Sequence, residues 1–214
     1  DYLALLAETF DALKAVSPDI RVIGGATAPR GGDDPESSRQ THSPTTFIRD
    51  LGRFYRESGR DTPVMDAYAH HPYLERSELP PDFEHPNSTT IALADYDKLV
   101  ELLEEAFDGS LFNGAAPTKI YTEFGVQTEI PEEKRDVYTN LESPVANDAV
   151  PESTQQEYYR QAFDLVCDQD NVEGLYIFHA WDEPDLLGWQ SGVYYPDRSP
   201  KSSRDALVAL PSCS

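Results

Sequence analysis

Leu3, Leu6, Phe10, Leu13 and Val16 recur every three or four residues and predict an amphipathic helix that ends near Pro18. Residues 20–26 are short, β-branched and carry two glycines, and read as a buried strand. A polar stretch rich in Gly, Asp and Ser follows at 29–43 and reads as a loop. Phe47, Leu51, Phe54 and Tyr55 mark a second helix that closes at Gly59. The alternation then repeats. Residues 64–69 form a strand, 71–90 a proline-containing loop, and Leu99, Leu102, Leu103 and Phe107 one face of a third helix. Residues 119–124 are the third strand, and an acidic, proline-containing connection runs over 128–153, long enough to be functional or mobile. Tyr158, Tyr159, Ala162, Phe163 and Val166 line a fourth helix over 155–167. Residues 175–180 are the fourth strand, 182–199 a loop, and 203–210 a short last helix.

Strands alternating with helices imply parallel strands joined by crossovers, hence an α/β fold. The long loops all follow strand C-termini, the side on which a (β/α) barrel builds its active site. A doubly wound open sheet would give the same order of elements. It usually carries a phosphate-binding glycine loop, and neither GxGxxG nor GxxxxGK[ST] occurs here.

Charge narrows the partners. The 214 residues hold 17 Lys and Arg against 39 Asp and Glu, a net charge of −22. Such a surface repels phosphate backbones and anionic lipid, so neither nucleic acid nor a membrane is an expected partner. No apolar run approaches the ~18–20 residues of a membrane span. Hydrophobic content is only 39%, but 12 Tyr, 9 Phe and 2 Trp can fill a core.

The candidate chemistry sits at strand ends. Glu123 closes the third strand in Tyr121-Thr122-Glu123-Phe124-Gly125, and Gly125 permits a sharp turn directly after the acid. The alternative for this glutamate is a helix cap or an ion pair. His71-Pro72-Tyr73 follows the second strand, and a tyrosine beside a carboxylate can hold it ionised and oriented. The alternative is a proline-directed turn. His70 and His71 are adjacent, yet no HExxH or clustered Cys, His and Asp spacing accompanies them, so neither metal nor cofactor is expected. The last strand runs into Trp181-Asp182-Glu183, and Trp189 follows in the loop. Indoles there can serve as platforms for a sugar ring or simply fill a core. The carboxylates can bind hydroxyls or remain solvated charges.

Taken in order, these pieces resemble the C-terminal half of a clan A glycoside hydrolase, a (β/α)8 TIM barrel of the broad cellulase-like group. The matching segments are KAVSPDIRVIGG behind the opening helix, HPY, YTEFG, and the last-strand Trp with GWQSGVYYPDRSPKSS. The resemblance implies that residues 1–214 hold strands five to eight with their helices, the N-terminal half lying ahead of Asp1. It implies that Glu123 is the nucleophile of a retaining hydrolysis, that His71 and Tyr73 belong to the site, and that Trp181 is the eighth-strand Trp. Asp182, Glu183 and Trp189 join His71, Tyr73 and Trp181 as expected contacts to a carbohydrate substrate.

The clan's acid/base glutamate follows strand four, usually in an Asn-Glu pair, and this chain contains no Asn-Glu dipeptide. The acid/base is therefore expected upstream, and the fragment alone is expected to hydrolyse glycosides poorly. Half a barrel also leaves two open sheet edges. Cys167 ends the fourth helix and Cys213 lies past the last one. Neighbouring outer helices of a barrel would bring them together, and a disulfide would suit a secreted enzyme. Two unpaired thiols are the alternative. Besides a glycosidase, two other readings remain open: a non-catalytic carbohydrate-binding barrel, and an α/β protein-interaction module.

Overall fold

The structure, a computed structural model, describes residues 1–107, 117–142, 148–211 and 213. The elements run α1 (Tyr2–Val16), β1 (Ile23–Thr27), α2 (Pro44–Glu57), β2 (Ala67–His70), α3 (Tyr96–Phe107), β3 (Thr118–Phe124), α4 (Glu152–Cys167), β4 (Val172–Ile177) and α5 (Ser202–Val208). Short 3-10 turns at Leu93–Asp95 and Glu132–Val137 interrupt two of the connections. Of the acidic 128–153 connection, residues 143–147 lie outside the described residues.

The four strands form one parallel sheet in the order β1-β2-β3-β4. A doubly wound sheet reverses its strand order at a switch point, and a barrel does not. The sequential order observed here has no reversal.

The chain divides into two compact units. The first comprises Asp1–Pro72, Glu84–Thr122 and Asn171–Gly174, and the second Tyr73–Phe83, Glu123–Asp170 and Leu175–Ser214. β3 and β4 contribute their starts to the first unit and their ends to the second.

In the first unit, Ser43 caps α2 by accepting from the Thr46 N–H at 3.2 Å, with Pro44 pre-set in the first turn. Ile48, Leu51 and Tyr55 of α2 are buried, as are Leu99, Leu102, Leu103, Ala106 and Phe107 of α3. The two helices approach so closely at Gly52 that an added Cβ would strike the Ala106 backbone. Val16, expected on the apolar face of α1, is 78% exposed. β1 begins later than its sequence suggests. The Val22 N–H is taken by the Asp66 carboxylate at 2.7 Å and the Ile20 carbonyl by Lys14 at 2.7 Å, so neither joins the ladder.

His70 ends β2, fully buried. Its Nε2 lies 2.8 Å from the Ile91 carbonyl, which can only accept, so that nitrogen carries the proton. Nδ1 then accepts from Thr27 Oγ1 at 2.8 Å, and Thr27 accepts from the Tyr68 hydroxyl at 3.0 Å. Burial pushes the imidazole down to about 4.

In the second unit, α4 packs on α5, and a Cys167–Cys213 disulfide with a Cα–Cα distance of 5.2 Å joins the C-terminal end of α4 to the chain beyond α5. β4 starts and stops earlier than the expected 175–180. The Phe178 N–H donates to the Phe124 carbonyl at 2.8 Å and closes the pairing with β3. Beyond it, Ala180 and Trp181 pair with Val193 and Tyr194 instead.

His70 gives the fold a defined acid response. The unfolded chain binds this proton near 6.5 and the folded chain at about 4, so the unfolded state takes it up first as pH falls. Stability is expected to drop by roughly 3 kcal/mol as pH descends through that window. Urea unfolding at about pH 7.5 and about pH 4.5 checks this: His70→Asn should be weaker at the higher pH but lose less on acidification than wild type.

Candidate functional site

Glu123 stands at the C-terminal end of β3, half-buried, in the second unit. Buried Phe124 and the turn at Gly125 follow it. A Cβ on Gly125 would press against the Phe178 carbonyl and the Ser191 side chain, so only glycine lets the chain pass here. Tyr73, three residues beyond β2, donates its hydroxyl to Glu123 Oε2 at 3.2 Å. Burial first, and then the Glu123 charge, push the Tyr73 phenol well above its ordinary value. It therefore keeps its proton and remains a donor to the carboxylate at any working pH.

Aromatic rings surround this pair. Tyr73 stacks on Phe124 with centroids 6.4 Å apart and tilts against Trp189 at 5.8 Å. Phe178 meets Trp189 edge-on at 5.9 Å and lies against His179 at 3.5 Å. Trp189 remains 43% exposed, leaving apolar ring surface open to a ligand. Glu183 pairs with His179 at 3.2 Å, and a Cβ on Gly188 would land on its carboxylate.

His71, Trp181 and Asp182 each have their own place in the fold. His71 belongs to the first unit, where its backbone N–H donates to the Thr27 carbonyl at 2.9 Å. Trp181 is not the strand-end aromatic: β4 stops at Ile177 and Phe178 takes that place, because Trp181 pairs with Tyr194 in the following loop. Asp182 is corrected too. It was expected to bind hydroxyls, yet it has no exposed surface and its oxygens are already engaged. They accept from the Tyr138 hydroxyl at 2.5 Å, Lys201 Nζ at 2.9 Å and the Gly192 N–H at 2.8 Å.

That ion pair supports the loop bearing Trp189. Lys201, itself without exposed surface, also donates to Thr128 Oγ1 at 2.7 Å and to the Gln190 carbonyl at 3.3 Å. Burial raises the Asp182 carboxyl and lowers the Lys201 ammonium, and their mutual attraction opposes both shifts. Gln155 and Tyr159 of α4 work from beneath. Gln155 Nε2 donates to the Val126 carbonyl at 2.8 Å, and the Tyr159 hydroxyl donates to the Ser191 carbonyl at 2.7 Å. The connections after β3 and β4 are thus tied to one helix.

Sequence reasoning missed Gln155, Tyr138, Phe178 and Lys201. Only the Lys in the SPKSS segment lay within a recognised motif. Among the described residues, no group of three His, Cys, Asp or Glu side chains is placed to hold a metal ion, and no helix is long and apolar enough to cross a membrane.

The fold has a counterpart among solved structures. A family 39 glycoside hydrolase from the gut symbiont Bacteroides cellulosilyticus WH2 superposes with a TM-score of 0.63 at 23% identity, covering 97% of this chain. The chain is similar in fold to a glycoside hydrolase. It spans 36% of that enzyme's length, and at this identity the likeness speaks for the fold alone. A β-glucuronidase from Ruminococcus gnavus matches far more loosely, with a TM-score of 0.38 and 21% identity over 68% of this chain and 21% of its own. No protein-family model and no curated protein matches the sequence.

The buried pair gives a direct test. Lys201→Met should cost roughly 3–5 kcal/mol, because it strands the Asp182 charge away from water. Adding Asp182→Asn should restore part of that loss, since the amide oxygen still accepts while the charge is gone. Denaturant unfolding of both single variants and the double variant measures the coupling.

Proposed function

We propose that this chain carries the nucleophile of a retaining glycosidase that acts on a β-linked oligo- or polysaccharide, with Glu123 as the attacking group. The observation that supports this reading most is the Tyr73 hydroxyl on the Glu123 carboxylate at the end of β3, inside a wall of aromatic rings. Such a carboxylate is oriented and lies beside a flat apolar surface that suits a sugar ring. The fold shared with a glycoside hydrolase points the same way.

In this reading, Glu123 attacks the anomeric carbon as the glycosidic C–O bond breaks, and a glycosyl ester forms on its carboxylate. A second carboxyl, about 5–5.5 Å away, gives its proton to the leaving oxygen. The same group then takes a proton from water, which attacks the ester and frees Glu123. The reading assigns that second carboxyl to the Asn-Glu pair that the clan A resemblance puts ahead of Asp1. His71, Glu183 and Trp189 are its proposed substrate contacts. The Cys167–Cys213 disulfide favours an oxidising, extracellular setting.

The test is release of an aryl leaving group from β-glucosides, β-mannosides and β-xylosides by the polypeptide that includes the Asn-Glu pair. Glu123→Gln should lower turnover by on the order of 10³-fold or more, since the variant keeps the shape but cannot form the ester. Tyr73→Phe should lower kcat roughly 10- to 100-fold, the worth of one hydrogen bond to a charged group. Undiminished turnover in Glu123→Gln would remove the nucleophile assignment and leave a non-catalytic carbohydrate-binding barrel as the better reading.

A further inference from the structure

We infer that the cleft around Trp181 is a second saccharide subsite that takes a carboxylate-bearing pyranose, its ring against the indole and its carboxylate on Arg198. This rests on the reading of the chain as one that acts on carbohydrate. The cleft has a volume of about 390 Å³ and is lined by Val137, Trp181, Pro184, Pro196, Asp197 and Arg198, together with buried Asp182. All of these residues lie in the second unit.

Four observations converge on this cleft. Trp181 is 55% exposed, although its backbone is fixed by pairing with Tyr194. A large apolar ring held rigidly toward solvent suits stacking by a pyranose face. Arg198 lies over that ring at 5.9 Å, at the outer limit of a cation–π contact. Its guanidinium makes no ion pair or side-chain hydrogen bond among the described residues, in a chain of net charge −22. The neighbouring acid is already committed: Asp197 accepts from Ser199 Oγ at 2.6 Å and Lys134 at 2.9 Å, which hold it down to about 2. A planar fork of donors with no acceptor matches a carboxylate.

Backbone conformation carries the argument further. Arg198 has φ of 68°, in the left-handed region where a long side chain is strained and glycine is not. It is kept there by its N–H on the Tyr195 carbonyl at 2.9 Å. Among the described residues the side chain makes no ion pair or hydrogen bond that this strain would serve; its cation–π approach is to the indole. Asp182, by contrast, is held in the cleft lining by Tyr138 and Lys201, so a ligand meets a preformed surface there.

The experiment uses the full chain with Glu123→Gln, so that binding is read without cleavage. Isothermal titration compares cellotetraose with its fully C6-carboxylated counterpart. The carboxylated ligand should bind the tighter of the two. Arg198→Gly should remove roughly fivefold of that affinity and leave cellotetraose binding unchanged, while melting at or above the parent temperature because the strain is relieved. Trp181→Ala should weaken both ligands roughly tenfold. Equal affinity for the two ligands, no binding of either, or an Arg198→Gly variant that retains the preference overturns the proposal. Aryl-glycoside turnover by the parent polypeptide, with Glu123 and Arg198 both intact, reads the glycosidase assignment separately.

Discussion

Asp182 and Lys201 face each other with no access to solvent, and the second unit is arranged around keeping both charges satisfied. Neither could be buried alone, because an uncompensated charge in a low-dielectric interior is far too costly. Each therefore collects further partners. Lys201 reaches back to Thr128 and Gln190, and Asp182 takes the Tyr138 hydroxyl and the Gly192 N–H. The connection after β3, the loop after β4 and the start of α5 are fixed to one another as a result. That loop carries Trp189 to Tyr73 and Phe178 on one side, and Trp181 to the cleft beside Arg198 on the other.

Tyr73 and Glu123 form the chemical counterpart of that scaffold. A phenol that burial keeps protonated can only donate to the carboxylate, so it orients Glu123 without competing for its charge. Gly125 supports the same arrangement from the backbone, since a side chain there would push the chain away from Phe178 and Ser191. The aromatic rings add apolar surface beside the carboxylate.

The parts of this site that were legible in sequence are those written in local pattern. β3 stands out as Lys119–Phe124 because its apolar residues run up to a carboxylate and then a glycine, and the structure begins it one residue earlier, at Thr118. Tyr73 is legible because HPY follows a strand directly. Trp181 misleads because aromatic and apolar residues continue past Phe178 although pairing to β3 does not, and sequence alone cannot show where a ladder ends. Asp182, Lys201 and Gln155 misled or escaped notice for one shared reason. Polar side chains read as surface until their partners, 10 to 73 residues away, are seen. The buried His70 network is of the same kind, since Thr27 and Ile91 meet it only in the folded chain.

The central claim is that Glu123 bears the glycosyl group during turnover, and trapping that ester tests it most directly. A 2-deoxy-2-fluoro β-glycoside with a dinitrophenolate leaving group suits the purpose. Its leaving group departs without a proton, so attack by the nucleophile is read apart from the general acid. The account predicts a stoichiometric burst of dinitrophenolate and a mass increment, after proteolysis, on the peptide containing Tyr121-Thr122-Glu123-Phe124. An increment on another carboxylate, or the same burst from Glu123→Gln, contradicts it.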